Sequence, residues 1–178
     1  MKILAFILCL LPSLAFANDW DLLDDANAVA IMRHAVAPGT GDPSAFELDD
    51  CSTQRNLDAR GRAQAQKIGD AFRERGIVFD QVLTSQWCRT RETAELLDVG
   101  PVMDAPSLNS FFRKTATRDR QTEETLKLIE GREGRLMLVS HQVNISALTG
   151  RGTRSGEILI IRMSGNAPEV VGSILIDP

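Results

Sequence analysis

The chain has 178 residues, with 20 Lys+Arg against 24 Asp+Glu and a formal net charge of −4. An acidic balance of this kind argues against nucleic acid or an anionic membrane surface as the main partner. The length suits one domain built on a single core, and the sequence holds no internal repeat or low-complexity tract.

In chain order, the first element is an export leader. Lys2 and the amino terminus supply a short positive region, Ile3 to Leu11 are apolar, Pro12 breaks the run, and Ala15-Phe16-Ala17 is a small-x-small cleavage site. The run is too short to span a bilayer, which takes about 20 apolar residues. Residues 1–17 are therefore expected to be removed as a signal peptide, leaving a periplasmic or secreted domain over 18–178. That domain keeps 19 basic and 24 acidic residues, a net charge of −5. It has no second long apolar stretch, so no membrane span is expected in the mature chain.

Asn27 to Met32 is a short apolar run that stops at Arg33-His34 and reads as a buried strand. Residues 35–57 are rich in Gly, Pro, Asp and Ser and read as a long loop, a length usually kept for function. Asp58 is placed to cap a helix running to about Arg75, with Ala65, Ile68, Ala71 and Phe72 inward and Gly76 as its stop. Phe79 to Thr84 reads as a second strand, with Ser85 capping a helix from about Gln86 to Leu97. Pro101 to Met103 reads as a third strand, and Asp119 to Glu130 as a helix with Leu126 and Ile129 inward. Arg135 to Ser140 is another buried strand and ends at His141, followed by a short helix over Asn144 to Thr149 that Gly150 closes. Gly156 to Met163 and Val170 to Ile176 complete the pattern as a hairpin edge. Strands alternating with helices predict a single α/β domain with a mostly parallel central sheet flanked by helices. In such sheets ligands bind beyond the carboxyl ends of the strands.

The chain has two histidines, and each directly follows an apolar strand. His34 and His141 are thus expected at the ligand-binding edge, joined by Arg33 and by Arg89 in the first turn of the helix after Ser85. Two imidazoles and two guanidiniums, with no obvious carboxylate to neutralise them, call for an anion, and phosphate fits best. Imidazole is nucleophilic while neutral near pH 7, and the guanidinium fork matches two phosphate oxygens.

Three segments carry a family resemblance. Met32-Arg33-His34-Ala35 is similar to the Arg-His-Gly motif of the histidine phosphatase superfamily. The run from Leu83 to Ala94, through Ser85, Arg89, Thr93 and Ala94, resembles its Ser-x-x-x-Arg-x-x-x-Thr-Ala segment. Val139-Ser140-His141-Gln142 resembles its strand-ending Ser-His-Gly. Their order and spacing resemble the first, phosphoglycerate mutase-like branch of that family. The resemblance implies that His34 attacks phosphorus and becomes a phosphohistidine. Arg33, Arg89 and a protonated His141 would bind the phosphoryl oxygens. The implied partner is a small phosphorylated substrate, and no metal or other cofactor is implied.

Several positions depart from the family pattern. Ala35 and Gln142 stand where the family has glycine, and Gln142, Asn144 and Asn109 are candidates for substrate binding; for Gln142 and Asn144, local helix capping is an equal reading. The segment after the Arg-bearing helix, Ser107-Leu108-Asn109-Ser110-Phe111, lacks the glutamate with which many members protonate the leaving oxygen. Asp42, Glu47 and Asp50 in the long loop are alternatives that sequence does not separate. Cys51 in the long loop and Cys88 beside Arg89 are expected to form a disulfide pinning loop to helix, in a compartment that permits one. The alternative of a thiol nucleophile fails, because neither cysteine is followed six positions later by the arginine a thiol phosphatase needs. A zinc site built from both histidines and a cysteine is disfavoured by the arginines beside it. The expected activity is hydrolysis of a phosphomonoester or phosphoramidate in the cell envelope. A sugar phosphate such as heptose phosphate of the lipopolysaccharide core fits that compartment. The alternative is a weakly catalytic phosphoanion-binding protein on the same scaffold.

Overall fold

The computed structural model describes residues 19–178. The expected leader and its cleavage site lie outside the described residues. Six strands form one mixed sheet: β1 (Val29–Arg33), β2 (Gln81–Thr84), β3 (Val102–Asp104), β4 (Leu136–Ser140), β5 (Ile158–Ser164) and β6 (Ala167–Ile174). Their order across the sheet is β3-β2-β4-β1-β5-β6. The first four in that order run parallel, and β5 and β6 form the antiparallel hairpin edge.

Four helices cover the two faces: α1 (Ala59–Arg73), α2 (Cys88–Leu97), α3 (Arg118–Glu130) and α4 (Gln142–Thr149). Strand side chains alternate between faces, and the alternation assigns each helix its side. Ala30, Met32, Met137, Val139, Ile158 and Ile160 pack with Ile68 and Phe72 of α1 and Ala94 and Leu97 of α2. Val29, Ile31, Leu136, Leu138, Leu159 and Ile161 pack with Ile129 of α3 and Ile145 and Leu148 of α4. Because both faces are covered, the central strands read as unbroken apolar runs instead of alternating ones.

Local chemistry sets the helix ends. The Asp58 carboxylate accepts from the Gly61 N–H at 2.8 Å and caps α1, while Gly76 follows the helix at φ +66°. Two glycines in α1 are required by close approach. A Cβ on Gly61 would lie 2.0 Å from the Val36 carbonyl oxygen, and one on Gly69 would lie 2.0 Å from that of Leu97. The first contact seats the start of α1 against the backbone just after His34. The second seats α1 on α2, which is why Gln64 and Gly69 are buried and Ala71, expected inward, is only half-buried.

One predicted boundary shifts with consequence. The helix expected from Gln86 begins at Cys88 with Trp87 as its cap residue, so Ser85 does not cap it. The Ser85 hydroxyl instead accepts from the Trp87 N–H at 3.2 Å and turns toward His141. The expected disulfide is present between Cys51 and Cys88 and closes the loop onto the first turn of α2.

Candidate active site

The parallel register brings the site together. Arg33 pairs with Ser140, and Thr84 with Val139, so β1, β4 and β2 end level at one edge. The His34 N–H donates to the Ser140 carbonyl at 3.0 Å, and the two imidazoles lie with ring centres 5.6 Å apart. Both are almost fully buried. They open onto a cleft of about 540 Å³ lined by Arg33, Asp42, Arg55, Trp87, Arg89 and Gln142 among others.

Hydrogen bonding fixes the state of each ring. His34 Nδ1–H donates to the Ala35 carbonyl at 2.8 Å, and His34 Nε2 accepts from Arg89 Nε at 3.3 Å. His141 Nδ1 accepts from Arg89 Nη2 at 3.3 Å, which leaves its Nε2–H to donate to Ser85 Oγ at 2.8 Å. A guanidinium has no acceptor, so each nitrogen facing Arg89 must be unprotonated. Burial, followed by the charge of Arg89 and more distantly of Arg55 and Arg33, holds His34 well below the ordinary histidine range. Burial and Arg89 act the same way on His141, with His34, Arg55 and Arg33 adding to the effect. Both rings are thereby biased toward the neutral form. The protonated form that the family resemblance implies for His141 concerns the site with a phosphoryl group bound.

Arg89 is the hub. It is nearly inaccessible and serves both imidazoles, the Arg55 carbonyl at 3.2 Å, and the Asp42 carboxylate through Nη1–Oδ1 at 2.7 Å and Nη2–Oδ2 at 3.3 Å. The cleft therefore does contain a carboxylate, contrary to the sequence expectation. Burial works against ionisation of Asp42, but the hydrogen bonds and charge of Arg89, the Arg55 N–H and the Trp87 indole outweigh it and hold the carboxyl below its usual value. Of the other loop acids considered, Glu47 and Asp50 are exposed and do not line the cleft.

The remaining predicted residues divide. Gln142 lines the cleft, and its Oε1 accepts from Arg33 Nη1 at 3.4 Å and from the Thr153 N–H at 3.0 Å, so it props Arg33. Asn144 and Asn109 are not in the cleft wall. Asn144 Nδ2 donates to the Asn109 carbonyl at 2.9 Å, and Asn109 Oδ1 accepts from the Gln86 N–H at 2.8 Å, so the pair braces the turns beneath Ser85. Asn109 also bonds the side chains of Ser85 and Gln86, so both amides meet nearby protein groups that the sequence pattern does not place.

Residues 29–109 match the model of the histidine phosphatase superfamily, branch 1. Over those residues the chain is similar to that superfamily. Among solved structures, the alpha-ribazole phosphatase from Shigella flexneri shares the fold at 19% identity and TM-score 0.60, covering 82% of this chain and 95% of that one. The protein histidine phosphatase SixA in complex with tungstate does so at 17% identity and TM-score 0.54, covering 83% and 96%. Bacillus stearothermophilus YhfR matches at 14% identity and TM-score 0.61, covering 82% and 95%. No curated protein matches the chain.

On this histidine phosphatase fold, one cleft group escapes sequence reading. Arg55 is half-buried in the loop, its Nε donating to the Gly41 carbonyl at 2.8 Å, and it adds a third guanidinium to the cleft. The available signal was a basic residue just before a capped helix, at a loop expected to border the ligand edge. Arg113 and Lys114 line the outer mouth, so the cleft holds five permanent cations among its lining residues against the single carboxylate of Asp42. Among the described residues, no group of three or more His, Cys, Asp or Glu side chains converges as a metal site. Both candidate cysteines are consumed in the disulfide and offer no thiolate.

Proposed function

We propose that the protein is a phosphatase that forms a phosphohistidine on His34 and hydrolyses a small phosphorylated substrate. The observation that carries this is the unprotonated Nε2 of His34, which accepts from Arg89 Nε in a cleft rich in guanidiniums. A neutral imidazole attacks phosphorus, and arginine forks stabilise charge on the three equatorial oxygens. Arg33, Arg55, Arg89 and His141 would hold those oxygens; the imidazole of His141 can take up a proton when a phosphate dianion arrives. The tungstate bound to SixA, a tetrahedral oxyanion, is in keeping with an oxyanion cleft on this fold. The cleft, at about 540 Å³, is much larger than a phosphate, and its outer cations Arg113 and Lys114 suit a polar, anionic body such as a sugar phosphate.

Export is part of the proposal. Residues 1–17 act as a cleaved leader, and the Cys51–Cys88 disulfide suits an oxidising compartment. A heptose phosphate of the lipopolysaccharide core is then a reasonable substrate class. The test is to incubate chain 18–178 with para-nitrophenyl phosphate and a panel of sugar phosphates, with and without EDTA. Turnover indifferent to EDTA, an acid-labile phosphoryl group on His34 by mass spectrometry, and loss of both in His34→Ala are expected. Amino-terminal sequencing of periplasmic protein tests the leader. A second reading is favoured by one observation, the Asp42 carboxylate lying across Arg89: a phosphoanion-binding protein with little turnover. Tight phosphate binding without hydrolysis of any ester would select it.

A further inference from the structure

We propose that Asp42 is the proton donor of this site: it protonates the leaving oxygen as His34 attacks and recovers the proton from water in the second step. The inference rests on His34 being the nucleophile and supplies the acid missing from the segment after α2.

Three observations carry it. Asp42 is the only carboxylate among the residues lining the cleft. Its side chain is only 11% exposed and accepts four hydrogen bonds: two from Arg89, one from the Arg55 N–H at 3.1 Å and one from the Trp87 indole at 3.1 Å. Two of those four come from the terminal nitrogens of the arginine that also contacts both imidazoles. A phosphoryl group in line with His34 Nε2 competes for those same nitrogens. When its oxygens take them, Asp42 loses its bidentate partner and faces a dianion. Both changes favour the protonated acid. Gly41, at φ +70°, gives the loop a turn directly before Asp42, and Arg113 anchors its other side through the carbonyls of Asp42 and Pro43.

The groups facing the carboxyl are thus Arg89 and Trp87 from the start of α2, the backbone N–H and the charged guanidinium of Arg55 from the loop, and the rings of His34 and His141 behind Arg89. A phosphomonoester has a second ionisation near pH 6, so its monoanion, or solvent, supplies the proton as substrate binds. In the first step the Nε2 lone pair forms the N–P bond, the P–O bond breaks, and the leaving oxygen takes the Asp42 proton to depart as an alcohol. In the second, a water oxygen forms the new O–P bond, the N–P pair returns to Nε2, and the Asp42 carboxylate receives the water proton. Phosphate leaves and the acid is restored.

The test measures kcat/KM for wild type and Asp42→Asn over aryl and alkyl phosphates of increasing leaving-group pKa. General acid catalysis is worth about 10²–10⁴-fold. The deficit of Asp42→Asn should therefore widen from a few-fold at 2,4-dinitrophenyl phosphate to about 10²-fold or more at an alkyl phosphate. An equal loss at every ester would show that Asp42 only positions Arg89. A gain at every ester would show that it only competes with substrate. Either result overturns the proposal. The wild-type slope is informative alone: protonated departure makes it shallow, and a steep line would overturn the proposal even if Asp42→Asn failed to fold. Absence of wild-type turnover on every ester would instead sink the phosphatase reading itself.

Discussion

Nε of Arg89 lies 3.3 Å from Nε2 of His34, so a permanent cation sits against the atom proposed to attack phosphorus. The same guanidinium reaches His141 and so biases both rings toward the neutral form. The hydrogen bonding and the electrostatics therefore favour the same protonation state.

That arrangement predicts a pH response with a definite sign. Unfolded, each imidazole titrates near its ordinary value of about 6.5; folded, both are depressed. Between the two values the unfolded chain binds more protons, so stability is greatest above about pH 6.5 and declines as pH falls toward the folded-state values. Thermal melts from pH 8 to pH 5 should show this decline, and it should be smaller in His141→Asn. By the same depression, kcat/KM corrected for substrate ionisation should hold its plateau below pH 6.5. An acid limb centred at the ordinary histidine value would contradict the assignment.

Replacing Arg89 by lysine should be severe despite the retained charge. One ammonium cannot serve two imidazoles, a carboxylate fork and a backbone carbonyl from one buried position. Loss of a single preorganised donor to a developing oxyanion costs about 10²–10³-fold. We expect Arg89→Lys to lose at least that in kcat/KM and to melt lower, because Asp42 loses its partner. Steady-state kinetics and calorimetry read both, and activity within tenfold of wild type would count against the role given to Arg89.

The disulfide makes a separate prediction. Cys51 and Cys88 are separated by 37 positions, a closure worth about 4 kcal/mol in the chain-entropy account. For a domain of this size that corresponds to roughly 10 °C in Tm. Cys51→Ser/Cys88→Ser should melt lower by about that amount and lose activity as well. The disulfide pins the loop over residues 35–57, which carries Asp42 and Arg55, and the Gln54 side chain of that loop accepts from the Cys88 N–H at 3.0 Å. A melt unchanged by reduction would show that the loop is held by its other contacts.

The framework was legible because its signals are periodic. Val29 to Met32 and Leu136 to Val139 are apolar without a break, each stops at a polar residue, and the histidines follow at the strand ends in the structure. Asp58 and Gly76 mark α1 through side-chain acceptance and positive φ, both properties of single residues. The loop over residues 35–57 has no such period, and its geometry depends on contacts far along the chain. Sequence therefore offered Asp42 only as one of three loop acids, and its bond to Arg89 and the place of the Arg55 guanidinium in the cleft emerge only from the fold. Asn109 and Asn144 misled for a related reason: an amide near a motif signals a polar partner, but not whether that partner is substrate or backbone.

The level carboxyl ends of β1, β2 and β4 divide the molecule into a working rim and an idle one. Every group assigned to chemistry enters from the rim beyond residues 33, 84 and 140. The turns feeding the opposite ends, around residues 25–28, 76–80 and 131–135, contribute nothing to the cleft. Those turns can lengthen, or carry a tag or a fused domain, without disturbing the catalytic geometry, whereas a one-residue slip of β1 against β4 would pull the two imidazoles apart.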